Sequence, residues 1–194
     1  MSGPSQPRTS GSRPTPSTDA SALIVVVPEA EVLVNALRER FDASARIGVP
    51  AHITVLFPFM PSTGVEPSVL RSVRAVVGRA QAFEFSLARV GRFPATTYLA
   101  PDPPEPFIAL TESLFGEFPQ FPPFAGGFPT VVPHLTVAHG SAADSVLAHA
   151  ALLAALAAHG PVKARCESLA LFENATGLWR QTQVFPLARA RGTR

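Results

Sequence analysis

The chain has 194 residues, 46% hydrophobic and 15% charged, which suits one packed domain or two small lobes on a shared core and excludes global disorder. Its formal net charge is +2, but Arg8, Arg13, Arg189, Arg191 and Arg194 sit at the two ends; residues 19–188 carry 11 Lys+Arg against 14 Asp+Glu. That balance argues against a broad basic surface for long duplex DNA and leaves room only for a local pocket of arginines.

Residues 1–20 are mostly Ser, Pro, Thr and Gly and cannot bury enough surface to offset their ordering entropy, so they read as a disordered leader. Nothing near the start has the length of a signal-peptide apolar region. The β-branched run 22–27 reads as a buried strand ending at Pro28. A helix follows over about three turns: Glu29 and Glu31 suit its first turn, Val32, Leu33, Ala36 and Leu37 form a stripe, and Arg38 and Arg40 suit its last turn. A strand is expected at 52–57, and a second amphipathic helix at 66–80 on the spacing of Val69, Leu70, Val73, Val76 and Val77. The alternating segment 83–93 and the short run 96–101 read as strands, 105–118 as a helix, and 119–133 as a loop rich in Pro, Phe and Gly.

A further strand is expected at 134–138. The helix from 141 to 159 starts on a capping box, Ser141 with Asp144, and stops at Gly160-Pro161. Two closing β runs, 162–172 and 178–187, read as a hairpin around the turn 173–177. Cys166 is the single cysteine, which rules out an intramolecular disulfide and a Cys-based zinc site and agrees with a reducing compartment. No apolar run approaches the roughly 20 residues of a membrane-spanning helix. The expectation is a soluble, cytoplasmic α+β protein, with one domain at 21–188 and a basic tail at 189–194. A strand–helix set precedes each of two similar strands, so the halves look like copies, with the midpoint near 93–102.

Those two strands carry the chemistry. "VPAHITVLFPF" (49–59) and "VVPHLTVAHG" (131–140) each hold a His and, two residues later, a Thr. The chain has five His and thirteen Thr, so chance would place Thr two residues after two of them in about one such chain in twenty. Strand alternation puts His52 with Thr54 on one face and His134 with Thr136 on one face, while Ile53, Val55, Leu135 and Val137 point the other way. Two imidazoles across a cleft can act as base and acid on opposite sides of one atom. Two Thr hydroxyls can donate to non-bridging oxygens. The set suits a phosphoryl group and needs no metal when attack and departure are in line.

With these residues the chain resembles the two-histidine (2H) phosphoesterase superfamily, which includes 2′-5′ RNA ligase-like proteins and cyclic nucleotide phosphodiesterases. His52/Thr54 and His134/Thr136 match both copies of its repeated His-x-Thr/Ser signature, and the resemblance spans roughly 22–187. It implies a bilobal α+β fold, two pseudo-symmetric lobes of antiparallel sheet with flanking helices around a central cleft. It implies metal-independent chemistry on 2′,3′-cyclic phosphates or 2′-5′ phosphodiester bonds, with His52 and His134 catalytic and Thr54 and Thr136 holding phosphate. No cofactor is implied, and the partners expected are a nucleotide or an RNA-end phosphate, on a monomer with no membrane. The competing reading is a non-catalytic binder of nucleotides or RNA ends that uses the same cleft.

Other candidates are weighed against plainer roles. Phe57, Phe59, Tyr98, Phe128 and Trp179 can stack a base, with core packing as the default for the phenylalanines. Tyr98 and Trp179, the chain's only Tyr and Trp, are the better candidates for a cleft wall. Arg46 and Arg180 can hold a phosphate or a terminal group, against the alternative of solvated surface arginines. His139 falls on the face opposite His134 by alternation. A metal set of His52, His134 and His139 lacks a carboxylate. His149 and His159 read as structural or surface residues of the last helix.

Overall fold

The computed structural model describes residues 19–127 and 130–189. The expected leader lies outside them apart from its last two residues, and the expected basic tail apart from Arg189.

Each expected helix and strand has a counterpart, except that one expected strand is divided in two. The strands are β1 (Ser21–Val26), β2 (His52–Leu56), β3 (Phe83–Phe93), β4 (Thr96–Asp102), β5 (Leu135–His139), β6 (Val162–Cys166), β7 (Ser168–Glu173) and β8 (Arg180–Pro186). The helices are α1 (Glu31–Phe41), α2 (Ala43–Arg46), α3 (Pro67–Val77), α4 (Glu105–Glu117) and α5 (Ala142–His159). The local causes are those the sequence carries. At α5 the Ser141 hydroxyl accepts from the Asp144 amide at 3.0 Å and donates to the Asp144 carboxylate at 2.7 Å. That box satisfies an otherwise orphaned first-turn donor. Helix α2 has no hydrophobic stripe to announce it; one side chain, Asp42, starts it by accepting from the Ser44 amide at 3.0 Å.

All eight strands join one antiparallel sheet in the order β6-β3-β4-β5-β2-β1-β7-β8. Its centre is the pair β5–β2, joined at Ile53 opposite Leu135, with four strands in each half. The halves are not the N- and C-terminal parts of the chain, as the expected midpoint at 93–102 required. The half holding β2 is built from both ends of the chain, and the half holding β5 from its middle. The expected single strand over 162–172 is two strands broken at Glu167. β6 pairs with β3 at one edge, while β7 pairs with β1 near the other. The alternation slips by one residue at Glu167-Ser168: Val162, Ala164 and Cys166 face the helix-side core before it, and Leu169 and Leu171 after it.

The helices pack on one face of the sheet. Leu33 and Val34 of α1, Val73, Val76 and Val77 of α3, Phe107, Leu110 and Leu114 of α4, and Leu152 of α5 enclose Leu23, Val25, Ile53, Leu87, Leu99, Leu135 and Leu171. Full burial of such side chains is worth about 1.5–3 kcal/mol each against leaving them in water. Cys166 lies in this core, where burial pushes its thiol up to about 12. The opposite face carries a smaller apolar cluster of Ala22, Ile24, Ala170 and Phe172 with Val26, Phe57 and Trp179, and it holds the candidate site. Helix α5, with 18 residues and a mean hydropathy of 1.4, is long and apolar enough by composition to cross a membrane; it leaves Val146, Leu147 and Leu153 exposed.

Candidate active site

Both His-x-Thr segments meet at the sheet's centre. Ile53 and Leu135 are wholly buried toward the helices, so alternation turns their neighbours to the other face. Carrying the register one residue each way sets His52 opposite Thr136 and Thr54 opposite His134. Residues directly opposite in such a pair have Cβ atoms about 4.5–5.5 Å apart, and diagonal ones such as His52 and His134 about 7–8 Å. That span accommodates one tetrahedral anion between the rings.

The two rings are held alike. His52 Nδ1 lies 2.8 Å from the Pro50 carbonyl oxygen, and His134 Nδ1 lies 2.7 Å from the Val132 carbonyl oxygen. A carbonyl only accepts, so each Nδ1 carries the proton and each neutral ring keeps its lone pair on Nε2. Both rings are half-buried, with an edge to solvent and packed protein around the rest. That loss of water disfavours the imidazolium. Burial, reinforced by the nearby charges of Arg38 and His134, pushes His52 down to about 4 against the opposing pull of the Pro50 carbonyl and Asp42. Burial also lowers His134, with His139 adding to it and the Val132 carbonyl opposing it.

Aromatic walls flank the centre. Beside His134, Phe93 and Tyr98 lie 5.3 and 5.1 Å away between ring centroids, and Phe124 stacks at 6.3 Å. Tyr98 pairs with Thr136 and leans over Gly91, where any Cβ would overlap its ring. On the other flank Phe57 meets Trp179 edge-on at 5.9 Å, beside Ile24 and Val26, which pair with Thr54 and His52. The Trp179 amide donates to the Ile47 carbonyl at 2.8 Å. Gly48 has φ +95°, and a Cβ there would meet the Trp179 carbonyl oxygen at 2.7 Å, so this close approach requires glycine.

Thus His52, His134, Thr54, Thr136, Tyr98, Phe57 and Trp179 share one face. Arg46 is exposed on α2 and donates to the Glu39 carbonyl at 2.9 Å. Arg180 is exposed and pairs in register with Glu173, on the side of β8 away from Gln181 and Phe172. Neither arginine is tied to the histidines by these contacts. Phe59 is core, edge-on to Phe118 and Phe121. Phe128 lies outside the described residues.

His139 departs from simple alternation. The register shifts between Thr97 and Tyr98, so Val137 is an extra residue, and Val137 and Ala138 are both wholly buried. His139 is thereby returned to the side of Thr136, where its Nδ1 shares a 2.8 Å hydrogen bond with Thr96 Oγ1. Phe93 and Phe124 escape a sequence reading as well. Phe93 looks like the last residue of a strand, and Phe124 reaches His134 from a loop turn at φ +52° that no local pattern marks. Among the described residues no group of three or more His, Cys, Asp and Glu gathers as a metal set.

Chemically, the face offers two proton-accepting nitrogens and two hydroxyls with aromatic side chains on either flank. The 2′-5′ RNA ligase superfamily matches residues 26–178 of this chain. No curated protein sequence matches it. Among solved structures, LigT of Escherichia coli complexed with 3′-AMP is 17% identical with a TM-score of 0.54, covering 88% of this chain and 99% of its own. LigT complexed with NADP+ gives the same identity and score over 88% and 98%. TT0787 of Thermus thermophilus is 18% identical with a TM-score of 0.58, over 89% and 100%. At these identities the likeness is one of fold.

Proposed function

This chain belongs to the 2′-5′ RNA ligase superfamily, and from that premise we propose that it is a metal-independent phosphodiesterase acting on 2′,3′-cyclic phosphates or 2′-5′ phosphodiester bonds of nucleotides or RNA ends. Membership supports phosphoesterase-type chemistry. The finer reading is carried by one observation: two His-x-Thr segments adjoin at the sheet's centre, and matched Nδ1 bonds put the lone pair of each ring on Nε2.

With a nucleoside 2′,3′-cyclic phosphate between the rings, Thr54 and Thr136 donate to the non-bridging oxygens, where negative charge grows during attack. His52, neutral above about pH 4, accepts a proton from the attacking water on Nε2. A new P–O bond forms and the bond to one ribose oxygen breaks. That oxygen takes a proton from His134, which enters the cycle protonated as the anion draws charge onto it. The product is a phosphomonoester beside a free hydroxyl, and the proton on His52 returns to His134 through solvent. Tyr98 and Phe93 on one flank, and Trp179 and Phe57 on the other, offer flat surfaces for a base. That LigT has been crystallised with 3′-AMP and with NADP+ supports a nucleotide as the ligand class. A reducing cytoplasm is the compartment that fits a single buried thiol.

The test is hydrolysis of 2′,3′-cyclic AMP and of a 2′-5′ dinucleotide, with and without EDTA. Turnover that persists in EDTA and disappears in His52→Ala and His134→Ala supports the reading. Full activity in either variant, or loss in EDTA restored by zinc, overturns it. Tight binding with no turnover across both substrates marks a binding protein instead.

A further inference from the structure

Arg38 is 1% exposed and Asp42 4% exposed, and their side chains meet at 3.0 Å just where α1 ends. The ion pair has a third member. Arg38 also donates to Ser44 Oγ at 3.2 Å, the Ser44 hydroxyl lies 2.8 and 2.9 Å from the two Asp42 oxygens, and the Ser44 amide donates to Asp42 at 3.0 Å. A buried pair of this kind gives little net stability, because the cost of desolvating two charges offsets their attraction. Apolar side chains would serve the core at least as well. Its position suggests another use.

The cluster governs a short path to the candidate site. The Ser44 carbonyl accepts the amide of Val49 at 3.1 Å, and the next residue is Pro50, whose carbonyl holds His52 Nδ1. Arg38 and Pro50 line one hollow of about 250 Å³. The same turn presents the Ile47 carbonyl that holds the Trp179 amide. The Asp42 backbone also forms a bridge with His139 at the end of β5, so the cluster touches that strand as well as the turn that leads into β2.

We propose that Arg38, Asp42 and Ser44 are positioning residues for His52: they fix the turn from Ser44 to Pro50 and so keep the Nε2 lone pair of His52 turned to the substrate. The proposal rests on the two-histidine function above. The charged and titratable groups around His52 are Arg38 and Asp42 at the end of α1, Glu31 in its first turn, bonded to the Ala51 amide at 2.7 Å, and His134 just ahead of β5; His139, at the end of β5, bridges to the Asp42 backbone. Arg38 and Asp42 act on the ring with opposite sign. Arg38 disfavours its imidazolium and Asp42 favours it.

The experiment records ring ¹⁵N–¹H spectra of His52 across pH in the full chain, beside kcat and KM for 2′,3′-cyclic AMP. Asp42→Asn is expected to lower the His52 titration midpoint and Arg38→Met to raise it. The double variant Arg38→Met/Asp42→Leu, which leaves no unpaired charge, is expected to fold. It should show a mixture of His52 tautomers and lose about tenfold or more in kcat with little change in KM. Ser44→Ala, the mildest change, should give the same tautomer mixture in smaller proportion, and it decides the matter if the double variant does not fold. A folded double variant, or Ser44→Ala in its place, with the wild-type tautomer and kcat overturns the proposal, as do midpoints that fail to move in opposite directions. The spectra report on His52 even in a protein that hydrolyses nothing, so failure of the proposed function reads differently from failure of the positioning role.

Discussion

Ile53 and Leu135 face each other across the join between the two halves of the sheet, and both are wholly buried against the helices. That one apolar pair fixes the register of β2 against β5. A slip of one residue in either strand would turn its own apolar residue, Ile53 or Leu135, to the open face and its histidine toward the core. The geometry of the candidate site is therefore set by two residues that never touch a substrate.

Truncating the pair should cost both stability and chemistry. Ile53→Ala or Leu135→Ala is expected to destabilise the fold by about 2–5 kcal/mol, the usual range for a buried aliphatic side chain cut to Ala. Urea unfolding gives the stability, and kcat per folded molecule gives the second effect. A loss below about 1 kcal/mol would mean that the join is not a packed part of the core.

The two histidines should fail as a unit. Each His→Ala variant is expected to lose most of the turnover, and the double variant little more than the worse single one, because proton acceptance and donation serve one step. Melting temperature should change little, since both rings are only half-buried. Losses that multiply in the double variant would indicate two independent functions.

Gly91 is expected to be specific for glycine on account of Tyr98. In Gly91→Ala the new Cβ overlaps the tyrosine ring, which must leave its place beside His134 and Thr136. If Tyr98 forms a wall for the substrate, KM for a nucleotide rises with a smaller change in kcat. Tyr98→Leu should reproduce the effect and make the Gly91 change nearly silent. An unchanged KM in both would remove Tyr98 from the substrate wall.

Stability should fall on mild acidification. The His52 imidazole titrates at about 4 when folded and near 6.5 when unfolded, so between these values the unfolded chain binds more protons. The contribution is complete above about pH 6.5 and is lost as pH falls toward 4. His134, shifted in the same direction, adds to it. Thermal melts from pH 7.5 to 4 in wild type and in His52→Gln test this, with a shallower slope expected in the variant. Equal slopes would show that His52 is not a desolvated ring.

How much of this is legible in the sequence depends on how local each cause is. The boundaries of α1, α3 and α5 follow from stripes and caps a few residues apart, and His52 with Thr54 shares a face by alternation alone. The elements that escaped depend on distant partners. The break at Glu167 reflects β6 and β7 pairing at opposite sides of the sheet, and β4 decides the bulge that brings His139 round to the site face. Phe93 and Phe124 converge on His134 from a strand end and a loop 31 positions apart along the chain. Arg38 and Asp42 look like an ordinary charged i,i+4 pair at a helix end until their burial is seen.

The most direct measurement is a crystal structure with a nucleoside 2′-phosphate bound. The account predicts the phosphoryl oxygens within about 2.7–3.2 Å of Nε2 of both His52 and His134 and of the hydroxyls of Thr54 and Thr136, with the base against Tyr98 or Trp179. A phosphate seated elsewhere on the sheet, or bound by one histidine while the other ring turns away, would contradict it.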